Sequence, residues 1–459
     1  MPDSDGSIAV LVLAAGQGTR MKSSRSKVLH EIAGRPMLDY PVTLAEALAP
    51  EQLIVVIGRD AEEVEAAFAG RASFALQAEQ KGTAHAVQTA LPSLAGFQGD
   101  VLVLYGDTPL LRAESVARLI DLKADTGAPL AMLTSPEPLP GLVVRDAEGR
   151  VERIVEKTDA TAEQLASLRE GNTGVYLVDM EFLTKALSQL DDRNEQGELY
   201  LTDIVAIARA QGLAVEAIQM GSAEEALGVN NRAELARASA VQRARNADRL
   251  MAEGVTFIDP AASYVDTGVE IGPDTLIEPG VTITGNTRIG SECHIKPHCV
   301  IESSQIGDGC VIGPSAHVRP GCRLADGVRL GNYVEVKNSD LGPGVKADHL
   351  SYVGDADVGA GSSFGCGSIT VNYDWTDKHR TTVGERVRIG CNVNLVAPVD
   401  LEDDSFVAAG TTVTKTVESD DIAVSTGRQR NLAGWGAKRR ARLAARPGTT
   451  PEDPGSQQG

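Results

Sequence analysis

The sequence predicts a mostly parallel α/β domain followed by a parallel β-helix. Short apolar runs alternate with helix-forming stretches through the first half, the sign of a parallel sheet with crossover helices. From Val265 onward an aliphatic residue recurs every six positions, the sign of a solenoid. The length, 459 residues, suits two or more domains at about 100–200 residues each.

Residues 8–13, IAVLVL, form an apolar run of strand length that leads into Ala14-Ala15-Gly16-Gln17-Gly18-Thr19-Arg20-Met21. A strand opening into a glycine-rich loop with bases behind it suits a phosphate group, because backbone N–H groups can approach closely. It is not a P-loop, since no GK[ST] follows, and Met21 stands where a dinucleotide fingerprint needs its third glycine. Further strands are expected at 53–57 and 101–104. The second of these runs into Tyr105-Gly106-Asp107. An aspartate past the carboxyl end of a parallel strand sits where open α/β sheets bind ligands, placed for Mg²⁺ held with phosphates. It could equally cap a turn.

Residues 232–253 are rich in helix formers and read as a helix joining the halves. The repeat then opens its units at Val265, Ile271, Ile277, Ile283 and onward to Val413. One residue is dropped before each of Ile306, Leu341 and Val358, and extra residues 370–382 precede Val383. Three short strands make one coil, the aliphatic residue points inward, and coils stack about 4.8 Å apart. Cys293, Cys299, Cys310 and Cys322 share the small fifth slot of the unit and read as small buried hydrophobes. No CxxC pair or zinc-spaced Cys/His cluster occurs among the six cysteines.

A solenoid has no chemistry of its own, so its breaks are informative. The loop 370–382 holds Asn372, Tyr373, Asp374, Trp375 and Lys378, and the unit at Ala347 holds Asp348, His349 and Tyr352. Arg319 and Lys337 are second residues of units eighteen apart, which stacks two cations on one wall; solvated surface charge is the plainer reading. His294 and His298 resemble an HxxxH pair, but that spacing does not share a face in a β-helix, so they read as structural.

Composition narrows the classes. Lys and Arg number 43 against 63 Asp and Glu, a net charge of −20, which argues against general nucleic-acid binding. An apolar fraction of 42% with 23% charged residues excludes wholesale disorder. Only 4% of residues are aromatic, so much of the core must be aliphatic. No run approaches eighteen apolar residues and the first seven carry no base, so a cytoplasmic protein is expected. Residues 428–446 carry seven bases and no acid, read as a solvated helix or as a contact for phosphates. Residues 447–459 are expected to be a disordered end.

LAAGQGTRM with Lys27-Val28-Leu29 resembles the sugar-1-phosphate nucleotidyltransferases. The repeat resembles the left-handed hexapeptide acyltransferases. Further motifs narrow the first half: Gln77-Ala78-Glu79-Gln80, Gly82-Thr83-Ala84-His85, Tyr105-Gly106-Asp107, Glu156-Lys157, Asn172-Thr173-Gly174 and Val229-Asn230-Asn231-Arg232. Joined to Arg319-Pro-Gly, Val336-Lys337-Asn338, His349-Leu-Ser-Tyr352 and Asn372-Tyr373-Asp374, they resemble one bacterial family over about residues 8 to 440. Its members combine N-acetylglucosamine-1-phosphate uridylyltransferase and glucosamine-1-phosphate N-acetyltransferase activities.

The resemblance implies an α/β Rossmann-like nucleotidyltransferase domain over 1–231 and a linker helix over 232–254. A left-handed β-helix acetyltransferase domain follows over 255–427, then a basic helix and tail over 428–459. Leu13, Ala14, Ala15, Gly16, Arg20, Lys27, Gln77, Gly82 and Thr83 are implied to bind UTP, with Arg20 and Lys27 on the triphosphate. Tyr105, Gly106, Gly141, Glu156, Asn172 and Asn230 complete the sugar-nucleotide site, and Asp107 and Asn230 would hold Mg²⁺. In the second half His349 is implied as general base, for which an imidazole's ordinary pKa near 6.5 is suited. Arg319, Lys337, Tyr352 and Ser363 would take glucosamine-1-phosphate, with Lys378 beside them. Cys366, Asn372, Tyr373, Cys391, Ala409 and Arg428 would take acetyl-CoA. A homotrimer with sites between subunits is implied, as is a product that feeds peptidoglycan and, in Gram-negative organisms, lipid A.

The chain departs from the family pattern at several places. Gly141-Leu142-Val143-Val144 replaces GYGR, which bears on sugar selectivity, and Ala84 replaces a glycine. Ser363, Cys366 and Cys391 replace asparagine, alanine and serine, and Thr426 stands where some members have arginine. Two other readings remain at this point: a nucleotidyltransferase on a purely structural β-helix, and a sugar-nucleotide-sensing scaffold. The His349, Lys337 and Arg319 set argues against the first, and Asp107 with Asn230 against the second.

Overall fold

A computed structural model describes residues 7–58, 61–425, 427 and 431–445 of the 459. Arg428, Thr426 and the tail 447–459 lie outside the described residues. Strands β1 (Ile8–Leu13), β2 (Gln52–Ile57), β3 (Ser73–Leu76), β4 (Asp100–Tyr105), β5 (Leu130–Ser135), β6 (Gly141–Arg145), β7 (Val151–Glu156), β8 (Gly171–Asp179) and β9 (Val215–Gln219) build one sheet. Its order is β9-β5-β8-β4-β1-β2-β3, with the β6–β7 hairpin attached to β8. Helices α1 (Asp39–Ala47), α2 (Ala61–Ala67), α3 (Thr83–Ala90), α4 (Ala113–Thr126), α5 (Ala162–Ser167), α6 (Met180–Leu187) and α7 (Asp203–Ala210) connect the strands.

β1 is apolar throughout because both its faces are covered: Leu11 and Val103 pack in one layer, Val10 and Leu102 in the other. The expected parallel core is present, with β1 paired parallel to β2 and β4. β8 departs from it, running antiparallel to both β4 and β5. Leu13 pairs with Val56 and with Tyr105, so the loops after β1, β2 and β4 leave from one edge. That carboxyl edge is where the first site forms.

The helix expected over 232–254 is α8 (Arg232–Ala252). Ala238 packs with Ile32, Met37, Leu110 and Val229 of the first half, while Ala247 and Leu250 join the β-helix core. Asn246 Nδ2 donates to the Val265 carbonyl at 3.0 Å, and Thr267 N donates to Ala33 O at 2.9 Å.

The second half is a prism with three parallel walls of ten, nine and eight short strands. The first wall starts at Thr256–Phe257, the second at Tyr264–Val265 and the third at Glu270–Ile271. Paired residues are eighteen apart where units are complete, as in Ile277 with Ile295. They are seventeen apart where one was dropped, as in Ile289 with Ile306. All three omissions fall at the corner between the second and third walls, so the inward aliphatic column stays in register. Each corner uses a left-handed residue coil after coil; Asp274, Glu292, Gly309 and Gly327 open one such series.

The expected insertion is narrower than 370–382. Thr370 is 1% exposed and pairs with Leu395, so it still occupies the inward column; the excursion covers 372–380. Cys293, Cys299, Cys310 and Cys322 are buried in the core, and all six cysteines are free thiols. His294 bonds Glu278 at 2.5 Å, while His298 sits at a corner with φ +61°, so the two histidines do not act together. The basic segment contains α9 (Trp435–Ala444). Among the described residues no helix is long and apolar enough to cross a membrane.

Candidate functional site

The loops at the carboxyl edge of the first sheet enclose a cleft of about 590 Å³. Leu13, Ala14, Ala15, Gly16, Arg20, Lys27, Gln77, Gly82, Thr83, Tyr105, Asp107 and Asn230 all line it. The glycine loop is shaped by Lys27: Gly18 has φ +61°, and a Cβ there would lie 2.7 Å from the Lys27 Cβ. Lys27 Nζ donates to Asp107 Oδ2 at 2.6 Å and to Asn230 Oδ1 at 3.2 Å. A carboxylate oxygen from the β4 turn and an amide oxygen from the segment before α8 therefore converge on one cationic point. Hard oxygen donors of this kind fit Mg²⁺, whose remaining ligands would be phosphates and water. Among the described residues no group of three or more His, Cys, Asp or Glu side chains could hold an ion by itself.

Gly106, Gly141, Glu156 and Asn172 sit beside this cleft rather than in its immediate lining. Gly106 N donates to Leu13 O at 2.9 Å and ties the β1 and β4 turns together. Gly141 pairs with Asn172 on one side and Glu156 on the other, so the three are neighbours across three strands. Asn172 Oδ1 accepts from Gly174 N at 3.2 Å and from the Tyr176 hydroxyl at 3.0 Å, which leaves its NH₂ group to donate. Burial raises the Glu156 pKa, and the charges of Asp159 and Asp203 push the same way. Burial likewise raises Tyr105, so its phenol stays protonated.

The substitutions in this half are absorbed by the core. Val143 is buried in the apolar layer with Val151 and Tyr176, and its N–H donates to Glu170 O at 3.0 Å. Ala84 is fully buried in the same layer.

In the second half the register sorts the candidates into two columns. His349, Cys366, Cys391 and Ala409 each lie two residues past an inward residue of the first wall: Ala347, Phe364, Ile389 and Val407. Those four inward residues pair in sequence, so the candidates form one ladder down the corner between the first and second walls. His349 is exposed at one end of it.

The other column follows the second wall. Val318 pairs with Val336, so Arg319 and Lys337 stack as expected. Arg319 Nη1 donates to Glu335 Oε1 at 3.0 Å. The Tyr352 ring lies over Gly354, where a Cβ would overlap it, and its hydroxyl accepts from Asn372 Nδ2 at 3.3 Å. Lys378 faces Lys337, whose ammonium lowers the Lys378 pKa by repulsion, and an anion between them would relieve both. Tyr373 and Trp375 stand at the exposed tip of the loop, with ring centroids 6.3 Å apart. Ser363 lies on the first wall, between Lys346 and Arg388, and is not brought to this column within the chain.

Sequence reasoning missed Asp355. Its carboxylate accepts from Asn338 Nδ2 at 2.6 Å and from Asn372 Nδ2, and lies 3.7 Å from Lys337 Nζ. Burial alone would raise its pKa; those hydrogen bonds and the Lys337 and Lys378 charges outweigh it and hold the carboxyl below the usual range. The period contained the signal. Asn338, Asp355 and Asn372 each lie two residues past an inward residue of the second wall.

The α/β cleft and the hexapeptide prism together define a transferase with two sites, one built for nucleotidyl transfer and one on an acyltransferase scaffold. Residues 10–173 match the MobA-like NTP transferase domain, 256–339 the GMPPB C-terminal domain, and 380–415 the hexapeptide repeat of succinyl-transferase. The prism is accordingly a left-handed parallel β-helix. The bifunctional protein GlmU of Pelobacter propionicus is 45% identical over 450 residues, which cover 93% of this chain and 98% of that protein. The GlmU proteins of Syntrophotalea carbinolica, 46% over 449 residues, and Geobacillus sp. (strain WCH70), 45% over 444, each cover 93% of this chain and 96% of their own. The chain belongs to the bifunctional GlmU family, and it is an enzyme with nucleotidyltransferase and acyltransferase activities.

Proposed function

We propose that the prism acetylates glucosamine-1-phosphate from acetyl-CoA, and that the α/β cleft then couples the product to UTP with release of pyrophosphate. The convergence of Lys27, Asp107 and Asn230 carries the reading of the cleft. Arg20 and Lys27 take the triphosphate, and Leu13, Ala14, Ala15, Gly16, Gln77, Gly82 and Thr83 take the nucleoside. Tyr105, Gly106, Gly141, Glu156 and Asn172 seat the sugar, so that its phosphate attacks the α-phosphorus in line. Asp107 and Asn230 would hold Mg²⁺, which when bound neutralises the phosphates and the departing pyrophosphate.

In the prism, Arg319, Lys337 and Lys378 hold the sugar phosphate, with Tyr352 beside them. His349 removes a proton from the sugar ammonium, and the freed amine attacks the thioester carbonyl. Collapse breaks the C–S bond, and the CoA thiolate leaves with the proton the new amide nitrogen gives up. Cys366, Cys391 and Ala409 give acetyl-CoA a track that leads to His349, with Asn372 and Tyr373 at its side. Ser363 lies on another wall, and Tyr333, Leu350 and Trp375 are 64%, 59% and 89% exposed. Both observations support a homotrimer in which a neighbouring copy covers these apolar groups and completes the site. Substrates such as UTP and acetyl-CoA support a cytoplasmic enzyme.

The test measures thiol release from acetyl-CoA with glucosamine-1-phosphate, and pyrophosphate release from UTP, in the intact protein and in His349→Ala. Thiol release should fall about 10²–10⁴-fold while pyrophosphate release is unchanged. No thiol release from the well-folded wild type would leave a nucleotidyltransferase on a structural β-helix.

A further inference from the structure

Gln77 follows β3 on the floor of the cleft and is 4% exposed, so its amide must find its partners inside. Its Nε2 lies 3.1 Å from the Gly82 carbonyl oxygen and 3.0 Å from His85 Nδ1. A carbonyl can only accept, so the half of the amide that faces Gly82 is the NH₂ group. Its second hydrogen then points to His85, whose Nδ1 must be the accepting nitrogen, with the ring proton on Nε2. Oε1 is what remains, and no donor among the described residues is bonded to it.

We propose that His85 is a positioning residue that sets the base selectivity of the cleft, by holding Gln77 so that only its carbonyl oxygen is offered to the base. This rests on the reading of Gln77 as a base contact. An amide fixed in that sense accepts from a ring N–H, as uracil presents at N3. Cytosine presents a lone pair at the same position, so two acceptors would meet. Turning the amide over to serve cytosine would set Oε1 against the Gly82 carbonyl and would force His85 to move its ring proton from Nε2 to Nδ1. Such a buried mismatch costs enough to discriminate about tenfold or more. His85 reaches Gln77 because Gly82-Thr83-Ala84-His85 forms the first turn of α3, which doubles back on the residue that precedes it.

The experiment compares kcat/KM for UTP and CTP, with N-acetylglucosamine-1-phosphate as acceptor, in the wild type, His85→Leu, His85→Asn and Gln77→Ala. A ratio taken within one sample is independent of how much of that sample is active, and His85→Phe replaces the leucine variant should that fail to fold. The UTP preference should fall about tenfold in His85→Leu, which has no acceptor, and be kept in His85→Asn, whose Oδ1 can stand in for Nδ1. Acetyl transfer should be unchanged in all. An unchanged ratio in His85→Leu with a collapsed one in Gln77→Ala overturns the inference and leaves Gln77 as the base contact. An unchanged ratio in both overturns the base-contact reading itself. Equal losses in His85→Leu and His85→Asn would also overturn the inference, since an accepting atom would then make no difference.

Discussion

Replacing Asp355 by asparagine should weaken the prism with almost no change in shape. Asn tolerates the left-handed backbone this residue adopts, φ +51°, so the variant carries no added backbone strain. The change is in hydrogen bonding. The wild-type carboxylate accepts from Asn338 and Asn372, whereas an amide must turn its own NH₂ group toward one of those NH₂ groups. One charge-assisted hydrogen bond is lost and a buried donor is stranded, at roughly 1.5–3 kcal/mol. Lys337, 3.7 Å away, loses its counterion, which adds up to about 1 kcal/mol at this depth of burial. At about 2–4 °C per kcal/mol for a unit of this size, Tm at pH 7 should drop by about 3–16 °C. The pH dependence is a second check. The folded-state pKa of Asp355 is depressed, so its stabilisation is full above the unfolded value near 3.9 and is lost as pH falls through the folded value. The gap between wild type and variant should therefore close in acid. Thermal unfolding followed by circular dichroism at a series of pH values measures both. Equal Tm values at pH 7, or a gap that persists unchanged in acid, would refute the reasoning.

Lys27→Met should lower pyrophosphate release about 10²–10³-fold, as loss of one preorganised cation at a phosphate does, and leave thiol release unaltered. Chelation with EDTA should abolish pyrophosphate release and spare thiol release; equal loss of both would refute the placing of the metal at Asp107 and Asn230 alone. Gly354→Ala should force the Tyr352 ring aside at a cost of about 1–3 kcal/mol, seen as a raised KM for glucosamine-1-phosphate with uridylyl transfer intact.

What was legible in the sequence is what short-range pattern encodes. β1 was readable because a strand buried on both faces must be apolar throughout, and the prism because every coil repeats the same demand on its inward residue. Strand direction has no such signature, so the antiparallel β8 was hidden. Thr370 was misread because a polar side chain in the inward column looks like a break. In the structure its Oγ1 accepts from Gly354 N at 2.7 Å and lies 2.9 Å from Gly354 O, so the hydroxyl is satisfied inside the wall. Asp355 was missed because its partners come from the coils above and below, and a lone aspartate in sequence does not announce them. Ser363 belonged by resemblance to the sugar-phosphate pocket, yet six-residue counting puts it on a different wall from Arg319 and Lys337.

A net charge of −20 opposes polyanions without closing the molecule to small anions. The substrates proposed for both sites are anions. Of the cations proposed for the phosphates, Lys27 lies between Asp107 and Asn230, and Lys337 and Lys378 lie beside Asp355. An ammonium paired in this way is pinned in position, so little side-chain freedom is lost when a phosphate arrives. A small phosphate can enter a cleft or a corner and find that fixed charge, whereas a nucleic-acid backbone would have to lie along an acidic surface to reach it. If these lysines take the phosphates as proposed, removing one of the carboxylates around them should loosen the lysine it holds rather than strengthen binding.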